Sequence, residues 1–251
     1  MHLLKGTNKS VFIFDFDGVL CDSIAECMIV SLNTYRSAFS SSTGDITNSM
    51  REYFYNYRYL VRPAGEYFLI WESYYHNKNF KKITFEDMKK TMIVQINEFQ
   101  NMFYVYRQRM KQNIDYWISL HKCYSNTLQF FKKYRKNIFI LTNKDKDSVE
   151  KISSAHGYSD RINEIYSKEI STDKSKLLNE LLNNNKHLYN GYNIIYIDDN
   201  IKNLNIISTL NIPNLICIHA RWGYCDNFVN KSYFHINDII EIDEVLKSVY
   251  E

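Results

Sequence analysis

Two aspartates separated by one residue follow an apolar segment near the start of the chain. The segment VFIF (11–14) is followed by Asp15 and Asp17, and Gly18 comes next. Its β-branched and aromatic residues predict a strand, and because side chains alternate along a strand, both carboxylates leave its end on the same side. Close carboxylates raise each other's pKa unless a cation or hydrogen-bond donors lie between them. The pair is therefore typical either of an acidic turn or of a site for a metal ion and a phosphoryl group.

Polar residues suited to the same chemistry follow other apolar segments. Thr142 and Asn143 follow NIFIL, Asp198 and Asp199 follow YNIIYI, and Lys174 opens the helical pattern KSKLLNELL. In an open parallel sheet, ligands bind beyond the carboxyl ends of the strands. We therefore expect these side chains to meet the first aspartate pair at one edge of a sheet.

The chemistry of these groups is complementary. Four carboxylates in one small site repel one another unless a hard cation such as Mg²⁺, which prefers oxygen ligands, relieves the repulsion. A carboxylate can attack phosphorus and form an aspartyl-phosphate. Lys174 and the Thr142 hydroxyl can hold the transferring oxygens, because phosphoryl transfer depends on positioning and charge neutralisation. The pattern therefore favours Mg²⁺-dependent phosphoryl chemistry.

The second half of the chain alternates apolar segments with helical patterns. The predicted strands are NIFILTN (137–143), EIYS (164–167), YNIIYIDD (192–199), NLICIHA (214–220) and, at an edge, SYFHI (232–236). Helical patterns mark KSKLLNELLNNN (174–185) and IDEVLKSVY (242–250). Buried strands that alternate with helices predict a parallel sheet covered on both faces, so we expect an α/β fold with a three-layer, Rossmann-like core.

The segment between the first two predicted strands has a different pattern. Residues 23–132 are almost wholly helical in pattern, with aromatic stripes at helical spacing such as Phe99 and Phe103. Such stripes are typical of the core between packed helices. We therefore predict an α/β domain formed by 1–22 and 133–251, and an all-helical domain inserted into it.

The composition argues against several classes of function. The net charge is only +3 and the Lys residues form no arginine-rich stripe, so we expect no nucleic-acid partner. No apolar run is long enough to predict a membrane span, so we expect no membrane partner. The five cysteines form no C-x-x-C pair and accompany no His cluster, so we expect no zinc site. Unpatterned thiols and the absence of a signal-peptide pattern favour the cytoplasm. The oligomeric state is not readable from the sequence.

Four segments together resemble the motifs of the haloacid dehalogenase superfamily of phosphohydrolases. DFDGVLCDS (15–23) resembles the first motif, D-x-D-x-[TV]-[LV], and ILTN (140–143) resembles the second. DKSKLL (173–178) resembles the third, and IIYIDDN (194–200) resembles the fourth in its double-acid form. HARWGY (219–224) is similar to a segment that often follows the fifth strand. The resemblance covers the predicted α/β core, and the helical insert lies where many members carry a cap domain.

The resemblance implies a role for each matched residue in the hydrolysis of a phosphomonoester. Asp15 would be the nucleophile and a Mg²⁺ ligand. Asp17 would protonate the leaving oxygen and then activate water, and its backbone carbonyl would bind the metal. The other matched residues would bind the phosphoryl group (Thr142, with Asn143 nearby, and Lys174) or the metal (Asp198 and Asp199). The implied partner is a small phosphorylated metabolite, and the implied cofactor is Mg²⁺.

Some of these assignments stay open. Lys176 is an alternative to Lys174, which we prefer because the family lysine commonly precedes an x-x-Leu-Leu run. Asp199 is a better candidate than Asp198 for the direct metal ligand, because that alignment puts Asn203 where a later acid stands in many members. A phosphomutase would use the same aspartate pair, and an idle core would bind phosphorylated ligands without turnover. The retained acids and lysine favour a hydrolase.

The stretch YRYLVRPAGEYFLIWE (57–72) places Arg58, Arg62 and Glu66 among aromatic residues. These charges are either surface residues around a helix break at Pro63, or Arg62 grips a second anionic or polar part of the substrate. We therefore keep Arg62 as a predicted substrate contact. A sugar phosphate, a phosphoglycolate-like acid, a nucleotide and a phosphoprotein all remain possible substrates.

Overall fold

The chain forms two compact units. The computed structural model describes residues 9–76, 80–188, 191–225 and 232–250. The described residues up to Asp22 and from Lys122 onward form one unit, called here the α/β unit. Ser23–His121 form the other, called the helical unit. The chain therefore leaves the α/β unit after Asp22 and returns to it at Lys122.

A parallel sheet forms the centre of the α/β unit. The strands in the described part of the chain are β1 (Ser10–Phe14), β2 (Cys21–Asp22), β3 (Lys122–Cys123), β4 (Ile138–Leu141), β5 (Glu164–Tyr166), β6 (Asn193–Asp198), β7 (Leu215–Ala220) and β8 (Phe234–Ile236). Six of these form one sheet in the order β5-β4-β1-β6-β7-β8, and every neighbouring pair is parallel. β2 and β3 form a separate antiparallel ladder. The predicted α/β fold and its edge strand are confirmed.

Helices cover the sheet and make up the helical unit. The helices in the described residues are α1 (Ile24–Ala38), α2 (Asn48–Tyr57), α3 (Tyr67–Tyr75), α4 (Lys82–Thr91), α5 (Ile93–Met110), α6 (Ile114–Ser119), α7 (Thr127–Lys133), α8 (Lys146–Ala155), α9 (Lys174–Asn184), α10 (Ile201–Ser208) and α11 (Ile242–Tyr250). Those from α1 to α6 lie in the helical unit, in agreement with the helical pattern there. None of the described helices has both the length and the apolar composition needed to cross a membrane.

Alternate residues of the central strand β1 enter different layers of the core. Val11 and Ile13 pack in one cluster with Leu177 and Leu181 of α9 and with Leu204 of α10. All five side chains are fully buried. Because burial of each large aliphatic side chain contributes about 1.5–3 kcal/mol, this layer holds α9 firmly against the sheet. The residue at the start of α9, Lys174, is thereby placed at the sheet edge.

The other face of β1 is covered by α7, which the sequence pattern assigned to the helical insert. Phe12 and Phe14 contact Phe130 of α7, with ring centroids 5.1 and 5.5 Å apart. In the ladder just before α7, Cys123 is opposite Cys21. The boundary between the units therefore lies at 121/122, whereas the sequence pattern put it at 132/133. A helical pattern alone does not show which sheet a helix covers.

The helical unit combines an aromatic core with a buried ion pair. Phe99 and Phe103 of α5 are fully buried, as their spacing predicted, and so is Trp71 of α3. The Trp71 indole Nε1 donates to Ser31 Oγ on α1 at 2.8 Å. Arg107 of α5 binds Glu26 of α1 through two hydrogen bonds of 2.7 and 2.8 Å. These contacts join α1, α3 and α5, which are distant in sequence.

Candidate active site

The carboxyl ends of β4, β1 and β6 lie side by side at the centre of the sheet. Phe14, the last residue of β1, is in register with Ile140 of β4 and Ile197 of β6. The Asp15 amide continues the ladder by donating to the Ile197 carbonyl at 2.9 Å. From β1 the sheet extends to β4 on one side and to β6 on the other, so the strand order changes direction at β1. Parallel sheets form ligand crevices at the carboxyl ends of the strands at such a point. The residues after these three strands therefore lie at the same end of the sheet.

A closed turn carries Asp17 just beyond β1. The Leu20 and Cys21 amides both donate to the Phe16 carbonyl at 3.0 Å, and the Gly18 amide donates to the Cys21 carbonyl at 2.8 Å. Gly18 adopts φ of +89°. Only glycine adopts this conformation readily, and a Cβ there would overlap the carboxylate of Asp199. Gly18 therefore allows the turn to pass close beside a second acidic residue.

Lys174 is the cation next to Asp15. Its Nζ lies 2.9 Å from Asp15 Oδ1 and also donates to the Leu141 carbonyl, one residue before Thr142. Its side chain is only 3% exposed, and Asp173 caps the helix start by accepting from the Ser175 amide. By contrast, Lys176 is exposed. Lys174 is thus the lysine that the structure brings to the aspartates.

Asp198 is fully buried within a set of hydrogen-bond donors. Its Oδ1 accepts from the Asn200 amide at 2.8 Å and from Asn203 Nδ2 at 3.2 Å. Its Oδ2 accepts from the Tyr196 hydroxyl at 2.5 Å and from Asn203 Nδ2 at 3.0 Å. Lys174 Nζ lies 3.9 Å from the same oxygen. Asn203, which the sequence alignment put where many family members carry a later acid, therefore binds the carboxylate of Asp198.

Asp199 is enclosed by the segment that follows β7. The Tyr224 amide donates to Asp199 Oδ2 at 2.5 Å, and His219 Nε2 donates to the Asp199 carbonyl at 3.1 Å. A Cβ on Gly223 would overlap both the Gly18 carbonyl and the Asp199 side chain. Trp222 Nε1 in turn donates to the Val19 carbonyl at 2.9 Å. HARWGY thus ties the turn after β1 to the acidic residue after β6.

Three carboxylates converge closely enough to hold a metal ion. Asp15, Asp198 and Asp199 each bring a carboxylate oxygen to within 4.8 Å of the others. The neighbouring Lys174 supplies one positive charge against these three acids. Carboxylate oxygens are the ligands that a hard divalent cation such as Mg²⁺ prefers. The donor set therefore fits such a cation.

The protonation of Asp15 reflects this crowding. Burial raises the pKa of Asp15 from its usual 3.8 to about 6, and the nearby carboxylate of Asp198 adds to the rise. Lys174 and the hydrogen bond from the Phe16 amide oppose it without cancelling it. A cation beside the carboxylate would favour the ionised form. The folded protein thus disfavours the ionised form of Asp15, and a bound cation would reduce this penalty.

Thr142 and Asp17 are linked through Lys144, which the sequence analysis did not single out. Thr142 is 1% exposed, and its Oγ1 accepts from the Lys144 amide at 3.1 Å. Lys144 Nζ lies 3.0 and 3.3 Å from the two carboxylate oxygens of Asp17. Asn143, between Thr142 and Lys144, is exposed. The sequence signal for Lys144 was its place directly after a motif at a strand end.

Arg62 belongs to the helical unit. It is exposed, and its Nη1 donates to the Val61 carbonyl at 3.3 Å. Its amide donates to Glu66 Oε2 at 2.8 Å, and Lys89 forms an ion pair with the other oxygen of Glu66. Glu66 thus fixes the backbone at Arg62, and the predicted substrate contact of Arg62 stays a prediction.

Comparison with protein-family models gives a match over residues 9–205, to the haloacid dehalogenase-like hydrolases. The chain belongs to this family. All of the predicted site residues of the α/β unit lie within the matched range, so the predicted resemblance is confirmed at the level of the family. No curated protein sequence matches the chain.

Solved structures with the same fold include other haloacid dehalogenase-like hydrolases. One from Streptococcus pneumoniae is 14% identical with a TM-score of 0.63, and the alignment covers 94% of this chain and 98% of that one. A predicted phosphoglycolate phosphatase from Haemophilus somnus is 14% identical with a TM-score of 0.61, covering 95% and 98%. A predicted phosphatase from Clostridium acetobutylicum is 17% identical with a TM-score of 0.55, covering 97% and 99%. At identities of 14–17%, the similarity to these structures shows only that this hydrolase shares their fold.

Proposed function

We propose that the protein is a Mg²⁺-dependent phosphatase that hydrolyses a small phosphomonoester through an aspartyl-phosphate on Asp15. The observation that carries the proposal is the position of Asp15. Its carboxylate lies 2.9 Å from Lys174 and within 4.8 Å of Asp198 and Asp199, at the carboxyl end of the central strand. A nucleophile, a phosphate-binding cation and a metal-binding acid pair are thus neighbours.

In the first step, an Asp15 oxygen attacks phosphorus. The bond from this oxygen to phosphorus forms while the bond to the leaving oxygen breaks, which gives an aspartyl-phosphate and an alcohol. Asp17 delivers the proton that the leaving oxygen needs. Its side chain is 25% exposed, so a substrate oxygen can approach it.

In the second step, water attacks the phosphorus of the aspartyl-phosphate. Asp17, now ionised, accepts a proton from this water, and Asp15 leaves as a carboxylate. Inorganic phosphate is released, and both aspartates return to their starting states. One residue, two positions after the nucleophile in the chain, therefore serves as acid and then as base.

The phosphoryl oxygens are held by groups from two neighbouring segments. Lys174 neutralises negative charge next to Asp15, and the Thr142 hydroxyl donates a hydrogen bond, with Asn143 beside it. The hydroxyl proton of Thr142 is available for this purpose because its oxygen accepts from the Lys144 amide. These groups stabilise charge that builds up on the transferring phosphoryl group.

Asp15, Asp199 and the Asp17 carbonyl would hold the Mg²⁺ ion, with Asp198 beside them. When bound, the ion supplies positive charge that favours the ionised form of Asp15 and neutralises the phosphoryl group. Asp199 is the stronger candidate for direct contact, because both oxygens of Asp198 already accept from Tyr196, Asn200 and Asn203.

Two features of the substrate follow as part of the proposal. A small phosphorylated metabolite fits a site with these groups, and phosphoglycolate is a natural first compound because it is named for a protein of the same fold. Arg62 retains its predicted role as a contact for a second anionic or polar group. A cytoplasmic location is also part of the proposal, because the spacing of the five cysteines in the sequence shows no disulfide pattern.

Phosphate release from a panel of phosphomonoesters tests the proposal. The panel includes phosphoglycolate, sugar phosphates, nucleoside monophosphates and a phosphopeptide, each with Mg²⁺ or with EDTA. We expect release that needs Mg²⁺ and that Asp15→Asn abolishes. Asp160→Asn is the matched control, because that carboxylate is 68% exposed and far from the acid cluster in the sequence.

The alternatives predict other outcomes of the same assay. A phosphomutase would move the phosphoryl group between positions of a sugar phosphate while releasing little phosphate. An idle phospho-ligand binding module would bind Mg²⁺ and a phosphorylated compound and turn over none of the panel. Either result contradicts hydrolysis as the main activity.

A further inference from the structure

Lys144 is a buried lysine next to the proposed acid and base. Its side chain is 1% exposed, and its Nζ lies 3.0 Å from Asp17 Oδ1 and 3.3 Å from Asp17 Oδ2. Removing an ammonium from water is costly unless a carboxylate compensates for the loss. The ion pair with Asp17 compensates for this loss and links the positions of the two side chains.

Lys144 stands apart from the other lysine of the same loop. The loop reads KDKD, and Lys146, two residues on, is 55% exposed with Glu150 at 3.8 Å. Exposed pairs of this kind contribute little to stability. Burial is therefore specific to Lys144, and the carboxylate that it contacts is one that the proposed mechanism uses.

The backbone of Lys144 contacts a second functional group. Its amide donates to Thr142 Oγ1 at 3.1 Å, so the hydroxyl proton of Thr142 points away from this amide. One residue therefore orients a phosphate-binding hydroxyl through its backbone and a proton-transfer carboxyl through its side chain. A lysine with an exposed side chain at this position would orient the Thr142 hydroxyl through its backbone but would not hold the carboxyl group of Asp17.

We propose that Lys144 is a positioning residue, which holds the carboxyl group of Asp17 so that its transferable proton faces the leaving oxygen. This inference rests on the proposed function. An ammonium donates hydrogen bonds and accepts none, so whichever oxygen of Asp17 carries the proton, that proton points away from Lys144. Because Lys144 contacts both oxygens, at 3.0 and 3.3 Å, it fixes the orientation of the carboxyl group and thereby the direction of the proton.

Phosphoryl transfer from substituted phenyl phosphates measures this positioning. The specificity constant kcat/KM covers the steps up to formation of the aspartyl-phosphate, so it reports the leaving step and not the later hydrolysis. An acidic phenol leaves without a proton, whereas a weakly acidic phenol needs one from Asp17. A purely structural defect would lower kcat/KM by the same factor for every compound.

We expect Lys144→Met to change the dependence on the leaving group. Its kcat/KM should fall about 100-fold for the weakly acidic phenol and less than about threefold for the most acidic one. Lys146→Met, from the same loop, should resemble the unchanged protein across the series. Circular dichroism confirms that each variant is folded.

Lys144→Arg is the second variant and retains both the charge and the donors. It should keep the weak leaving-group dependence of the unchanged protein, even if its rates are lower throughout. An equal loss for all phenols in Lys144→Met, no loss at all, or a steep dependence in Lys144→Arg would overturn the inference. If the unchanged protein hydrolyses no compound, the proposed function itself fails, and the two failures are thereby distinguished.

Discussion

The α/β unit and the helical unit each bury an ion pair, and the two pairs are built differently. In the helical unit, Arg107 satisfies both oxygens of Glu26, which is fully buried, with hydrogen bonds of 2.7 and 2.8 Å. In the α/β unit, Lys174 lies 2.9 Å from one oxygen of Asp15, whose side chain remains 13% exposed. The carboxylate of the first pair is shielded from solvent, whereas the carboxylate of the second pair is partly accessible to solvent.

The surrounding charge also differs between the two pairs. Arg107 and Glu26 balance each other, and the guanidinium of Arg107 packs over the ring of Phe103, with 4.7 Å between its carbon and the ring centroid. Lys174 is shared between Asp15 and Asp198, so negative charge is in excess there. Removing one partner of a balanced buried pair destabilises the fold because it leaves the other charge uncompensated, whereas an excess of charge is relieved by a ligand. The comparison predicts that changes at the first pair affect stability and changes at the second affect activity.

Replacing the cation of the second pair, in Lys174→Met, should have a large effect on activity. We expect kcat/KM for the best substrate to fall about 10³-fold, because the charge that neutralises the phosphoryl oxygens is lost. Steady-state kinetics at saturating Mg²⁺ measures it. Lys176→Met is the control, since Lys176 is exposed two residues further along the helix. A loss below about tenfold for Lys174→Met would mean that this lysine does not act on the reaction.

The closed pair should give the largest effect on stability. Glu26→Ala leaves a buried guanidinium without its carboxylate, so we expect the free energy of unfolding to fall by about 3–5 kcal/mol. Urea denaturation measures this change, and turnover per folded molecule should stay close to that of the unchanged protein. Asp147→Asn, which breaks an exposed pair with Lys151, should cost less than about 0.5 kcal/mol. Equal costs for both variants would remove the distinction between the pairs.

Asp15→Asn should stabilise the metal-free protein while it abolishes turnover. Because the pKa of Asp15 is raised from 3.8 to about 6, the folded state favours the protonated form. The penalty for the ionised form is absent below about pH 4, grows as the pH rises toward 6, and is complete above it. Removing it should raise the free energy of unfolding by about 2 kcal/mol at neutral pH.

Denaturation in EDTA at pH 7.5 and at pH 4.5 checks the direction of this change in the free energy of unfolding. The advantage of Asp15→Asn should shrink at the lower pH, and Asp160→Asn should show no advantage at either. A variant less stable than the unchanged protein at pH 7.5 would show that Asp15 is not held at a cost to the fold.

Arg62→Ala should give the smallest effect. If Arg62 contacts a second polar group of the substrate, KM for the best panel compound should rise about tenfold, with kcat little changed. KM for a phenyl phosphate, which lacks that group, should not change. Arg51→Ala, also exposed in the helical unit, is the control. If kcat/KM for the best compound is unaffected in Arg62→Ala, its predicted role is wrong.

Local patterns in the sequence were sufficient to predict the sheet edge of the site. Apolar segments ending in Thr142 and in Asp198 predicted parallel strands, and the geometry of parallel sheets then placed their ends together. The preference for Lys174 over Lys176 also agrees with the structure, because the leucines that bury α9 fix which face of the helix start meets Asp15. The strand predictions needed only one segment and a general rule, whereas the choice of Lys174 relied on the family resemblance.

What the sequence could not show depends on contacts between distant segments. Lys144 and Lys146 are the same residue type in similar sequence surroundings. The folded structure shows that Lys144 is the one that contacts Asp17. The position of α7 depends on aromatic contacts with β1, more than a hundred residues earlier. Gly223 matters because another loop, at Gly18, passes beside it. A pattern within one segment can therefore mark a residue such as Lys144 as a candidate, but it does not identify the distant residue that it contacts.

The account depends most on Asp15 as the nucleophile, and trapping the covalent intermediate tests this directly. The protein is mixed with Mg²⁺ and the best panel substrate, quenched with acid within one turnover, and treated with tritiated borohydride, which reduces an acyl phosphate to the alcohol. Peptide mapping should find the label as homoserine at position 15 and nowhere else, and Asp15→Asn should carry none. Rapid phosphate release without label at position 15, or label at another acidic residue, would contradict the mechanism.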